Sequence, residues 1–156
     1  MASYVRQENP MSDPNQQYAY FTITGTFDPS EITGEAGVEP SKCWNVGELN
    51  PRNSLERKFS RWSLESRLSR NADLSDHIKD VLDQLDERRD AFQKLISRYD
   101  GVDDRFGAWV QLVGYFHSSY PGFNLEAQSV KRLAHYGLSM DFDFYYLYDD
   151  GREDTD

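Results

Sequence analysis

Apolar and polar positions change period along this chain, and the change separates strands from helices before any chemistry is considered. From Gln17 the run Tyr18-Ala19-Tyr20-Phe21-Thr22-Ile23-Thr24 is aromatic and β-branched, and Gly25 ends it. Such side chains fit a pleated surface, so the run predicts a first strand. Asp28-Pro29-Ser30-Glu31 then spells a helix start. Asp28 caps the free amides, Pro29 suits the first helical position, and Glu31 reaches back to the cap. Gly34 and Gly37 keep that helix short. Val38 to Glu48, containing Cys43-Trp44-Asn45-Val46-Gly47, reads as a second extended segment, and Leu49 to Leu55 as a loop. Glu56 to Leu68 is extended again, with Phe59, Arg57 and Arg61 on one face and Trp62 and Leu64 on the other.

A different period follows. Leu74, Ile78, Val81, Leu82, Leu85, Phe92, Leu95, Ile96 and Tyr99 recur at three- and four-residue steps, which predicts a helix from about Leu74 to Tyr99. At 1.5 Å per residue it would run roughly 39 Å, longer than a small core needs, so a bend is expected where Asp86 to Asp90 interrupts the stripe. Phe106 to Phe116 reads as a strand and Ser118 to Gly122 as a turn. Asn124 is expected to cap a shorter helix that ends at Gly137 and buries Leu125, Val130, Leu133, Ala134 and Tyr136. Leu138 to Tyr148 has the cleanest alternation of the chain. Leu138, Met140, Phe142, Phe144, Tyr146 and Tyr148 share one face, with Asp141 and Asp143 opposite.

The resulting order is β-α-β-β-α-β-α-β. It predicts an α+β domain with an antiparallel or mixed sheet of about five strands and helices packed on one face. Residues 1–16 read as a disordered leader, 17–148 as the single domain and 149–156 as an acidic, solvated tail. At 156 residues the chain has room for one ordinary domain and one sizeable core.

Charge narrows the partners. With 17 basic and 27 acidic side chains the net charge is −10, which argues against non-specific nucleic-acid binding, since phosphate neutralisation needs clustered excess Lys and Arg. One cysteine, Cys43, leaves no internal disulfide framework and points to a reducing, cytoplasmic compartment. No apolar run is long enough for a membrane helix, and the first residues lack a signal-peptide core. Within this acidic chain Pro40 to Arg70 carries a net charge of +4 from Lys42, Arg52, Arg57, Lys58, Arg61, Arg67 and Arg70.

Several segments together resemble a known family, the bacterial domain of unknown function numbered 4279. They are the opening strand with Asp28-Pro29-Ser30-Glu31-Ile32, the Glu39-Pro40-Ser41-Lys42 to Trp44–Gly47 segment and Trp62-Ser63-Leu64. The helix from Leu74 to Tyr99 and the closing Leu138-Ser139-Met140-Asp141-Phe142-Asp143-Phe144-Tyr145-Tyr146 complete the set. The resemblance spans about Tyr18 to Tyr148 and implies a small bacterial α+β domain with no established activity and no catalytic residue to carry over. Small acidic families of this kind often look like immunity or accessory proteins.

Catalytic signatures do not emerge from the spacing. No glycine-rich phosphate loop, G-x-S-x-G elbow, H-E-x-x-H helix or C-x-x-C pair occurs. His77, His117 and His135 are scattered, and each reads as structural. Asp141 and Asp143 lie two apart on one strand face, near enough for a metal or for acid–base work, but a half-buried strand shows such a polar face to water by default. Arg57, Arg61 and Trp62 could grip a phosphate, a nucleotide or an acidic group; alternatively the arginines pair with the seven acids from Asp73 to Asp90. Of the 22 aromatic residues, Tyr120 and Tyr145 are the expected anchors for a partner, beyond what a small core hides.

These readings lead to a non-enzymatic, protein-binding module of immunity or accessory type, without cofactor or metal. Its expected partner is another protein, of basic character, steered in by Asp141, Asp143 and the tail. A small-ligand or nucleotide domain built on Arg57, Arg61 and Trp62 is the alternative, and carboxylate catalysis the least favoured. The molecule itself is expected to be a monomer or, through an open edge strand, a homodimer.

Overall fold

The computed structural model describes residues 14–147. Five strands and four helices follow one another as β1 (Gln16–Gly25), α1 (Pro29–Ala36), β2 (Lys42–Trp44), β3 (Ser60–Glu65), α2 (Leu74–Asp86), α3 (Arg89–Tyr99), β4 (Gly107–Phe116), α4 (Ala127–Tyr136) and β5 (Ser139–Tyr146). The strands form one mixed sheet in the order β2-β3-β1-β4-β5. All its pairings are antiparallel except β4 with β5. The helices cover one face, so this is the expected α+β architecture. Most of the leader and the 149–156 tail lie outside the described residues. β1 begins at Gln16, and Asn15 is already tied to the loop after β4, its Oδ1 accepting from the amide of His117 at 2.7 Å.

Pairing explains why β1 sits at the centre. Ala19, Phe21 and Ile23 project into the core beside Trp62 and Leu64 of β3 and Val110, Leu112 and Phe116 of β4. Leu74, Ile78, Val81, Leu82 and Leu85 of α2, with Phe92 and Leu95 of α3, close over them. The Phe21 ring meets Phe92 edge-on at 5.6 Å and Trp62 at 6.5 Å. Each such aromatic is worth a few kcal/mol of burial, so this cluster dominates the fold's stability.

The predicted long helix is two. α2 stops at Asp86, and Arg88 leaves the helical region with φ −133° and ψ 41° before α3 starts. The break falls inside the polar stretch named from the sequence, where six residues lie between Leu85 and Phe92, none of them in the core cluster that would hold one straight axis. At the Asp28 start of α1 the capping geometry is as expected: its Oδ1 accepts from the Ser30 amide at 2.9 Å, and Gly37 closes the helix at φ 66°.

Three expectations change. The second extended segment shrinks to Lys42–Trp44, because Asn45–Phe59 folds back as a loop pinned by Gly47 and Arg57 backbone bonds. Asn124 does not cap α4, whose N-cap is Glu126, and Val130 and Ala134 are exposed rather than buried. The reason is where α4 packs: its buried side, Ser129, Leu133 and Tyr136, is turned to α2 and α3. Third, β5 is therefore only partly covered. Met140 and Phe144 are half-buried, while Phe142 is 52% exposed and Tyr146 55%.

A polar clamp fixes α4. The Asp86 carboxylate accepts from Tyr136 Oη at 2.5 Å and from Arg132 Nη2 at 2.8 Å, and Arg132 also pairs with Asp83 at 2.6 Å. Burial works against the charge on Asp86, but the Tyr136 and Arg132 bonds outweigh it and hold its pKa below the usual carboxylate value. Burial and the same carboxylate push the Tyr136 phenol up.

Candidate functional site

Two surfaces of the sheet stay free of helices, and both carry residues singled out from the sequence. The first is the open face. Side chains alternate across strands, so the residues of β1 that avoid the core, Tyr18, Tyr20, Thr22 and Thr24, lie on it. Register places Arg61 opposite Thr24 and Ser63 opposite Thr22 on β3, with Trp44 and Lys42 beside them on β2. Trp109 and Gln111 follow on β4, then Asp141, Asp143 and Tyr145 on β5. The predicted arginines and aspartates thus share one face, at opposite ends of it.

At the β2–β3 end, cations gather on aromatic rings. The Arg57 guanidinium lies 3.9 Å from the Trp44 ring centroid, that of Arg61 5.2 Å, and Lys42 Nζ 5.4 Å. Arg61 is also 5.8 Å from the Trp109 ring and 5.9 Å from Tyr20. The Trp44 indole is held in place by donating to the Phe59 carbonyl at 3.0 Å. Arg57 reaches this cluster from the loop before β3, not from a strand position alternate to Arg61. Beneath it Thr22 and Ser63 are buried and share a 2.7 Å hydroxyl bond. A depression of ≈ 190 Å³ opens on the β1–β3–β2 side of this cluster, lined by Tyr18, Tyr20, Ser41, Lys42, Arg61, Ser63 and Glu65, the last paired with Arg70 at 2.7 Å.

Trp62 does not belong to this site. It is fully buried in the core, its indole Nε1 donating to Thr33 Oγ1 at 3.0 Å. As a flat face for a ligand it is replaced by Trp44, which the sequence placed in an extended segment but not beside Arg57 and Arg61. The pairing of the arginines with the acids from Asp73 to Asp90 holds for Arg67, bonded to Asp80 at 2.9 Å, and not for Arg57 or Arg61.

The second surface is the edge of β5, which among the described residues pairs with β4 alone. On the open face, Tyr145 stacks on Tyr115 with centroids 5.0 Å apart and planes 9° from parallel, and its hydroxyl donates to Asp143 at 2.9 Å. On the helical face, Tyr120 meets Phe116 at 5.2 Å and Phe144 at 5.7 Å, beside the exposed rings of Phe142 and Tyr146. The two anchors named from the sequence therefore flank one strand edge from opposite sides. Neither Asp141 nor Asp143 forms an ion pair among the described residues. Tyr20 stands between the two charged ends of the face. Burial raises its phenol pKa, Arg61 opposes that rise, and the Asp143 charge adds to it.

Elsewhere two histidines are placed by single side-chain bonds, one buried and one exposed. His77 is buried, and its Nδ1 shares a 2.7 Å bond with Ser66 Oγ. His135 Nε2 lies 2.6 Å from Gln93. Among the described residues no group of three or more His, Cys, Asp or Glu side chains is arranged to hold a metal ion, and no helix is long and apolar enough to cross a membrane.

A family model described as a domain of unknown function, DUF4279, matches residues 15–147, nearly the whole described chain. The chain belongs to that family. No curated protein and no solved structure matches it. The DUF4279 match spans β1 through β5, so both the cationic cluster and the β5 edge lie inside the family domain rather than in an appended segment.

Proposed function

We propose that this DUF4279 domain is a non-enzymatic protein-binding module, of immunity or accessory type, that takes a basic partner along β5. The observation that carries it is the state of that strand. Among the described residues β5 ends the sheet and pairs only with β4, and it keeps Phe142, Tyr145 and Tyr146 exposed. A strand edge offers unpaired amides and carbonyls, and an extended segment laid against it completes the ladder. Its side chains would alternate as those of β5 do. Apolar ones would meet Phe142 and Phe144, and Lys or Arg would meet Asp141 and Asp143. The whole-chain charge of −10 favours encounter with a basic protein.

The test compares capture by wild-type protein and by two variants, Phe142→Ser and Asp141→Asn/Asp143→Asn, from a lysate at low and moderate salt. A charge-matched acidic protein is the control. The expected result is one stoichiometric basic polypeptide retained by wild type, weakened in both variants and absent from the control. Identical capture by wild type and variants sinks the proposal. Sedimentation of the same proteins identifies the rival occupant, a second copy of the chain. A dimer that Phe142→Ser dissociates would assign the edge to self-association, although antiparallel copies would set the aspartates of one against those of the other.

A further inference from the structure

The cationic cluster at the other end of the open face calls for an occupant of its own. Lys42, Arg57 and Arg61 surround one indole, yet none of them pairs with a carboxylate among the described residues. Five other arginines of the folded domain are neutralised, unlike Arg57 and Arg61. Arg67, Arg70, Arg89, Arg98 and Arg132 each hold an Asp or Glu. Moreover, the Nε atoms of both Arg57 and Arg61 are buried and lack a hydrogen-bond partner among the described residues. A guanidinium donor withdrawn from water without an acceptor is costly, and three like charges over one ring repel. An anion with several acceptor oxygens among them would offset the repulsion between the cations.

We propose that Lys42 and Arg61, which line the depression, together with Arg57 stacked on the neighbouring Trp44, form a binding site for a small phosphorylated molecule. A phosphate dianion matches the charge better than a single carboxylate, and its tetrahedral oxygens can serve two guanidinium forks and an ammonium together. The ≈ 190 Å³ depression suits a phosphate with a small attached group rather than a polymer. Ser41 and Ser63 line it, and the Tyr20 ring, which lines it beside Arg61, is placed to stack on a ring carried by the ligand. Two strands, β1 and β4, separate Arg61 on β3 from β5, so the site stands or falls apart from the protein-docking edge.

The intact protein is titrated at low ionic strength with inorganic phosphate and, separately, with a nucleoside monophosphate, following heat and tryptophan fluorescence. Saturable binding of phosphate is expected, with Arg57→Gln/Arg61→Gln weakening it by about tenfold or more. Asp141→Asn/Asp143→Asn should bind as wild type does. Tighter binding of the nucleotide than of phosphate would assign a stacked ring to the ligand; equal binding would assign recognition to the phosphate alone. Should the double arginine variant melt early, Lys42→Gln, at an exposed position, replaces it and is expected to weaken binding several-fold. The proposal is overturned if neither probe saturates by about 10 mM, or if the folded variants bind like wild type.

Discussion

β1 and β5 carry nearly the same pattern, yet they have opposite fates. Both alternate aromatic or β-branched residues with polar ones over eight to ten positions. In β1 every core-facing residue from Ala19 to Ile23 is buried. In β5 Phe142 and Tyr146, at equivalent alternate positions, are more than half exposed. What separates them is the layer above. α2 and α3 lie across β1, β3 and β4, while α4 turns its apolar side to those helices and leaves β5 half roofed. An alternating strand therefore announces two unlike faces, and the helices decide which of them is hidden.

That contrast is breakable. Phe21→Ala should cost about 3–5 kcal/mol, because it empties a site walled by Trp62 and Phe92. Urea unfolding measures it, and a loss no larger than that of a β5 substitution would erase the distinction between the strands. Next in size, Asp86→Asn should cost about 1–3 kcal/mol by weakening the clamp that fixes α4. If the roof is set by that clamp, the variant should also bind more of a hydrophobic dye at the β5 edge. A variant with unchanged stability would place the control of α4 elsewhere.

A smaller effect is expected from His77, which lies under the covered half. Burial pushes its pKa below the ordinary 6.5, with Arg70 adding to the drop and Asp80 opposing it. The unfolded chain takes up a proton as pH falls below 6.5 while the folded one refuses it, so stability should decline from there downward. His77→Gln should flatten that decline in denaturation curves above the carboxylate range, and an unchanged slope would show that other groups cause it. Smallest of all, Phe142→Ala should change stability by less than about 1 kcal/mol. A larger loss would mean that the edge is part of the core after all.

Most of the architecture was legible because periodicity is local. Tyr18 to Thr24, the Leu74 to Tyr99 stripe with its interruption, and Gly37 and Gly137 as helix stops all act over neighbouring residues. Pairing is not local. Nothing between Lys42 and Arg61 in sequence says that a three-residue β2 will lie beside β3 and bring Trp44 onto the arginines. The same limit misassigned Trp62: its alternation with Arg61 was read correctly, but the consequence, that the indole must face away from the guanidinium and into the core, follows only once the helical side is known. Asp141 and Asp143 were placed on the polar face of β5 from alternation alone. That this face also carries Arg61 depends on the β3-β1-β4-β5 order, which the residues of β5 do not encode.

The position of β1 also sets a schedule. It is the first strand synthesised and the central one in the sheet, with β3 filling one of its edges and β4 the other. As the chain leaves the ribosome, Phe21 and Ile23 stay without neighbours until Trp62 emerges, and the second edge waits until Val110 and Leu112 follow. Long-range pairing of this kind is slow and leaves apolar edges open to other chains. The order of strands along the sequence therefore makes the central, most enclosed strand of the finished sheet its most vulnerable one during synthesis.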